Sequence, residues 1–344
     1  MLENETIQTI KVKVEAYLDT FSKLEHMFSG TILISIDGII IINKGYGMSN
    51  YELNVPNTVD TIYKIGSITK QFTALLIMHL LEKGRLDLNQ TLDNFISDYP
   101  NGNKVTIHHL LTHSSGIHNY TMDEDINIYM RQYHTLNSLI ERFKNKPFDF
   151  EPGTKYSYSN SGYILLGYFI EEITGKTYSE YLKEFIFKKL LMKNSGYNNY
   201  SDLIKNRANG YDLVDGNIQN CDFIDDSVVD AAGAIYSTTG DLHKWNSDLL
   251  NDTLISKKST MKMMEKHNKI DEDCYYGYGI MVWSRKYGKK VRNAISHDGG
   301  TLGFLSSNNL YPDDKVEIII LSNLTNDSKD EISFKLREII FDII

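Results

Sequence analysis

Cysteine is almost missing from this chain of 344 residues: Cys221 and Cys274 stand alone, with no CxxC spacing. That pattern indicates neither a zinc site nor a dithiol redox motif, and both residues read as free, buried thiols. Whether they instead form one disulfide depends on their separation in space, which a sequence does not carry. A basic excess is missing too. Lys and Arg number 36 against 45 Asp and Glu, for a formal net charge of -9, and no dense basic patch offsets it. This argues against a dedicated nucleic-acid binder. Nowhere is there an unbroken apolar run of roughly 18 residues, so no membrane span is expected. The opening "MLENETIQTIKVKVEAYLDTFSKLEHMF" has no continuous apolar core and no small-residue cleavage site, unlike a secretory signal. With Met1 as the natural start, the expectation is a cytoplasmic protein. Internal repeats and low-complexity tracts are absent, and no residue pattern implies a metal or cofactor.

What is there reads as an ordinary globular chain, 41% hydrophobic and 24% charged, long enough for two domains or one large one. The first segment has Ile7, Ile10, Val14, Leu18, Phe21 and Leu24 at three- and four-residue steps, the period of an amphipathic helix. "GTILISIDGIIIINKGYG" then gives two β-rich runs around Asp37-Gly38, a dipeptide suited to the positive φ angles of a tight hairpin. A long apolar helix is predicted from Ser67 to Leu81, ended at Gly84. Helix-like patterns dominate from about residue 85 to 230, and the last hundred residues return to strand character before a closing amphipathic helix. The expected architecture is α/β of the α+β type. An antiparallel sheet is built from both ends of the chain, residues 1–84 and 232–344, and flanked by terminal helices. A helical subdomain, residues 85–231, is inserted, with a cleft between the two.

Three polar constellations fall near that junction. Ser67 and Lys70, in "KIGSITKQF", are three residues apart and share one face of a helix, which brings a hydroxyl beside an amine. Ser67 or Thr69 could equally cap that helix, and the same spacing recurs at Ser259 and Lys262 in a lysine-rich stretch without other distinction. Tyr158 and Asn160, in "TKYSYSNSGY", stand between a Pro-Gly turn and the next helix, and Tyr197 and Asn199 repeat their spacing in an ordinary loop. His297, in "SHDGGTLGF", is followed by Gly299 and Gly300 in a strand. Glycine weakens a strand and marks places where another group approaches the backbone.

In their order, "SITK", "YSN" and "HDG" resemble the signature elements of the serine hydrolases related to class C β-lactamases and low-molecular-weight penicillin-binding proteins. The related class A set is S-x-x-K, S-D-N and K-T-G. "LLTHSSGIHNY" and "DAAGAIYSTTGDLHKW" are similar to two further stretches of that family, and the resemblance runs over roughly residues 30 to 325. Ser259 fails on order, since it follows both Tyr-x-Asn candidates.

The resemblance implies a β-lactamase/transpeptidase-like fold and a serine hydrolase that forms an acyl-enzyme on Ser67. Lys70 and Tyr158 would move its proton, with either able to act first. Asn160, His297, Gly299 and Gly300 would bind substrate, the backbone N–H groups of Ser67 and Gly300 holding the oxyanion. A serine hydroxyl needs such help because it is a poor nucleophile at neutral pH. The substrate would be a small molecule or short peptide, such as a D-amino-acid peptide, a β-lactam or a small ester. An acylatable sensor and a silent scaffold of the same fold are the competing readings.

Two departures matter. Histidine replaces the permanent charge of lysine in the third motif, and Asp298 would repel an anionic substrate if it faced the cleft. The aromatic and acidic stretch 118–134 either overhangs that cleft or forms a solvated surface loop. No oligomeric state is assigned.

Overall fold

The computed structural model describes residues 3–22, 28–326 and 328–344. Helix α1 (Asn4–Ser22) precedes strands β1 (Gly30–Ile36) and β2 (Ile39–Tyr46). Their turn has Asp37 at φ 52° and Gly38 at φ 77°, the two positive angles expected of the dipeptide. Helices α2 (Thr69–Glu82), α3 (Asn160–Thr174), α4 (Asp230–Gly233) and α5 (Thr239–Asn251) follow. The chain then lays down β3 (Asn268–Lys269), β4 (Cys274–Tyr276), β5 (Met281–Tyr287), β6 (Lys290–Thr301), β7 (Phe304–Tyr311) and β8 (Val316–Ser322), and closes with α6 (Ser328–Phe341).

Among the described residues these strands form an eight-stranded sheet in the order β3-β4-β5-β6-β7-β8-β1-β2. Strand β1 lies antiparallel to β8, with Gly30 opposite Ser322 and Ile36 opposite Val316. Both ends of the chain thus meet within one sheet, β8 and β1 lying side by side near its β2 edge, as the strand-rich termini implied. Side chains alternate faces along each strand. Ile32, Ile34, Ile318 and Ile320 pack with Ile10, Val14 and Leu18 of α1 and Ile332, Leu336 and Ile340 of α6. Leu33, Ile319 and Leu321 join the other core, with α2 and α3. A strand covered on both faces has no polar register, which is why "TILISI" and "VEIIILS" are near-continuous apolar runs. In the N-terminal helix the expected stripe appears at Ile10, Val14 and Leu18; Leu24 and the side chain of Phe21 lie outside what is described.

Helix α2 is buried nearly all round: Phe72, Leu75, Leu76, Ile77 and Met78 are solvent-inaccessible, each worth about 1.5–3 kcal/mol of burial. Trp245 of α5 stacks on Phe72 with ring centroids 4.0 Å apart. Gly84, at φ 63°, follows its end as expected. The middle of the chain carries helices, but it also holds a hairpin, Tyr211–Val214 with Asn217–Asn220. Its turn is Asp215-Gly216, at φ 50° and 76°, the same signal as Asp37-Gly38, set within a region whose sequence pattern is dominated by helices. Cys221 and Cys274 are both free thiols, half-buried. No helix among the described residues is long and apolar enough to cross a membrane.

Candidate active site

The helix of the S-x-x-K stretch begins slightly later than the sequence implied. Gly66–Ile68 form a 3-10 turn, and α2 proper starts at Thr69. Ser67 makes no side-chain cap there, so the capping reading of this serine is not what the structure realises. Gly66 has φ 50°, and a Cβ on it would lie 2.8 Å from the backbone nitrogen of Gly300. Glycine is therefore required twice over at this position, and its smallness sets Ser67 beside strand β6.

Strand β6 pairs with β5 only as far as Ser296, opposite Met281, while it follows β7 through Thr301. The segment His297–Thr301 therefore projects beyond β5. A Cβ at Gly299 would meet Ile65 O at 2.0 Å and Ser306 Oγ at 2.3 Å, so here another backbone does approach the strand. Gly300 is different. It is exposed, and the nearest atom to its would-be Cβ is Leu305 Cδ2 at 3.8 Å.

Lys70 is completely buried. Its Nζ lies 3.0 Å from Ser67 Oγ, 2.8 Å from Asn160 Oδ1 and 2.7 Å from the carbonyl oxygen of Ala232. Burial pulls this amine well below its ordinary value, and among the described residues no carboxylate pairs with it to counter that. A neutral amine has two N–H bonds and one lone pair. Asn160 Oδ1 and Ala232 O can only accept, so they take the two hydrogens and the lone pair is left for the Ser67 hydroxyl.

Tyr158 stands over this group, its ring centroid 4.8 Å from Lys70 Nζ. Its phenol hydrogen-bonds with Ser67, yet burial dominates and raises it above the usual tyrosine value, which keeps the O–H in place. Asn160 is the first residue of α3. Its Nδ2 donates to Thr121 Oγ1 at 3.2 Å and its backbone N–H to Asn119 Oδ1 at 3.1 Å. The start of the 118–134 stretch therefore borders the site, while Met122, Ile128 and Tyr133 farther along are 70% or more exposed.

His297 is buried, and both ring nitrogens are occupied. Nδ1–H donates to Asp298 O at 2.6 Å, which leaves Nε2 to accept from the Tyr276 hydroxyl at 2.9 Å. Burial, then the neighbouring Lys70, lowers its pKa to about 4. The ring is neutral at pH 7 and offers no charge to a carboxylate. Asp298 faces the other way, pairing with Lys329 of α6 at 3.4 Å on the opposite side of the sheet. Its repulsive orientation toward the cleft is thereby excluded.

The decoys separate cleanly. Ser259 sits beside Ser256 and Glu82 in the helix Lys257–Met263, and no hydrogen bond among the described residues joins it to Lys262. Tyr197 donates to Asp230 at 2.8 Å, away from Ser67.

Sequence reasoning missed three contributors. Ala232 supplies a backbone carbonyl, which has no side-chain signature, although its stretch was singled out. Tyr276 was read only as strand. His113, in "LLTHSSG", was noted within a motif but given no part.

Ser67, Lys70 and Tyr158 are thus held together at the projecting end of a sheet strand, beneath a helical layer. The chain belongs to the Beta-lactamase family, whose model matches residues 14–338. It is similar to a penicillin-binding protein of known structure from Bacillus halodurans, with 28% identity and a TM-score of 0.81, covering 98% of this chain and 99% of that one. The D-amino acid amidase from Ochrobactrum anthropi SV3 shares the fold, with 20% identity and a TM-score of 0.81 over 99% of both chains. Teichoic acid D-alanine hydrolase of Staphylococcus aureus (strain MRSA252) is 25% identical over 331 residues, spanning 95% of this chain and 77% of that protein.

Proposed function

We propose that this protein cleaves uncharged-leaving-group acyl donors, D-aminoacyl esters or amides, through an acyl-enzyme on Ser67. The observation that carries the nucleophile is the buried Lys70 amine, 3.0 Å from Ser67 Oγ and hydrogen-bonded to the acceptor oxygens of Asn160 and Ala232. Lys70 takes the Ser67 proton as Oγ bonds to the substrate carbonyl carbon. Tyr158, whose raised pKa keeps it protonated, is the donor for the departing oxygen or nitrogen and is re-protonated from Lys70. This division makes Lys70 the first base, the point the sequence left open. Water then attacks the acyl carbon and Ser67 is released.

The oxyanion faces the backbone N–H groups of Ser67 and Gly300. Asn160 Nδ2 keeps a second hydrogen beyond the one given to Thr121, available for an acyl-chain carbonyl. Neutral His297, with both nitrogens engaged, supports substrates that lack a carboxylate on the leaving side, because a desolvated carboxylate needs a charged partner. The relative named as a teichoic acid D-alanine hydrolase supports the D-alanyl ester class. His297 acts by holding Tyr276 and the β6 backbone rather than by meeting a substrate carboxylate.

The test is acyl-enzyme mass spectrometry with fluorophosphonate, penicillin, D-alanyl esters and D-alanyl-D-alanine peptides. Wild type and Ser259→Ala are expected to gain the adduct and Ser67→Ala to lose it, with esters turning over faster than carboxylate-ended peptides. An adduct on Ser259, or a stoichiometric adduct that persists for hours with every substrate, rejects the hydrolase reading.

A further inference from the structure

His113 is 1% exposed and sits at φ 55°, a left-handed conformation uncommon for residues other than glycine. The conformation lets one residue bracket Tyr158 from both sides. The backbone N–H of Ser157 donates to the His113 carbonyl at 2.8 Å, and that of Ser159 donates to its ring Nδ1 at 3.2 Å. Between these two bonds the imidazole lies against the Tyr158 ring itself, centroids 4.2 Å apart. One residue farther on, Ser114 O accepts from Gly153 N at 2.8 Å, so the turn holds the tyrosine segment at three points.

The other ring nitrogen shows that packing alone does not account for this histidine. Because Nδ1 accepts, Nε2 carries the hydrogen, and it is buried without a hydrogen-bond partner among the described residues. The rings of Tyr163 and Tyr276 pack against the imidazole, centroids 5.1 and 4.6 Å from its own. A phenylalanine would fill this space without burying an orphan donor. It would also strip the acceptor from the Ser159 N–H, and Ser159 is itself buried. Burial, then the nearby Lys70, holds the imidazole well below the usual histidine value, so Nδ1 is free of a proton and able to accept.

We propose that His113 is the positioning residue for Tyr158, a neutral template whose carbonyl, Nδ1 and ring face together fix the phenol over Ser67 and Lys70. The proposal rests on the acyl-enzyme reading above and adds to it a residue that touches no substrate. Its effect is carried through Tyr158 alone. His113→Phe keeps a ring against Tyr158 but removes the acceptor. His113→Asn keeps an acceptor in the Nδ1 position and tolerates positive φ, but gives up the ring contact.

The experiment measures kcat and KM for a D-alanyl ester, with thermal melting, for both variants in wild-type and Tyr158→Phe backgrounds. His113→Phe is expected to lower kcat by about 100-fold, the scale of an ångström of misplacement, with KM little changed. His113→Asn restores most of that loss. In the Tyr158→Phe background neither variant lowers kcat further. Equal losses in both backgrounds, or His113→Phe at wild-type kcat while Tyr158→Phe is impaired, overturn the proposal. If His113→Phe does not fold, the two His113→Asn measurements decide alone: a loss confined to the Tyr158 background supports the template and an equal loss rejects it. Full activity of Tyr158→Phe by itself instead rejects the role given to the tyrosine, which keeps the two failures distinct.

Discussion

Alanine substitution separates the two glycines of the third motif. At Gly299 an added Cβ would lie 2.0 Å from Ile65 O and 2.3 Å from Ser306 Oγ, against 3.4 Å for ordinary contact, so something must move by more than an ångström. The Ile65 carbonyl has little freedom to yield, since it already accepts from Ser306 Oγ at 2.8 Å. The strand therefore parts from the 65–67 segment, and Gly300 N leaves its place beside Gly66 and Ser67. Loss of one oxyanion donor costs about 100- to 1000-fold in kcat, and the overpacking a further ~1–3 kcal/mol of stability. At Gly300 the added methyl meets only Leu305 Cδ2, at 3.8 Å, and φ is not positive there, so Gly300→Ala is expected to stay close to wild type in stability and rate. Stopped-flow acylation by a fluorogenic D-alanyl ester, with thermal melts, reads both effects. Wild-type acylation by Gly299→Ala, or a Gly300→Ala defect as deep as that of Gly299→Ala, would refute the geometry.

Two further outcomes follow from buried ionisable groups. Lys70 has its pKa lowered by burial, so kcat/KM is expected to fall on the acid side as the amine takes a proton; Lys70→Arg, permanently charged, loses about 100- to 10,000-fold at every pH, and a variant within tenfold of wild type would count against Lys70 as base. Asp230, raised by burial to about 6 while bonded to Tyr197, binds its proton more tightly folded than unfolded. Its contribution to stability is therefore full below about pH 4 and lost as pH rises through 6, by at most about 3 kcal/mol. Because part of the contribution is already lost at pH 4.5, urea melts of Asp230→Asn and wild type at pH 4.5 and 7 are expected to diverge by about 2 kcal/mol, and parallel shifts would contradict it.

What could be read in the sequence was local or ordered. Asp37-Gly38 needs only its own φ angles, and the apolar run after Ser67 announces a helix without any partner. The motif order distinguished Ser67 from Ser259 before any distance was known. Features set by long-range pairing were not legible. The sheet register turns Asp298 toward Lys329 and His297 toward Tyr276, and a shift of one residue would exchange those faces. Ala232 acts through a carbonyl that any residue possesses. His113 carried a motif match but no chemistry of its own, because its work lies in two backbone donors on a segment more than 40 residues away. Asp215-Gly216 carries the same local turn signal as Asp37-Gly38, but a two-residue turn is a weak signal beside the helical periodicity around it.

The pairing of β1 with β8 also bears on when chemistry can begin during synthesis. The helix carrying Ser67 and Lys70 leaves the ribosome early, yet the glycines beside it come some 230 residues later, and Gly30 waits still longer for Ser322. Pairings this distant in sequence are slow to close. A nascent chain thus holds Ser67 and Lys70 well before the strand that sets Gly300 beside them, and the sheet carrying that strand is complete only once β8 has been inserted between β7 and β1.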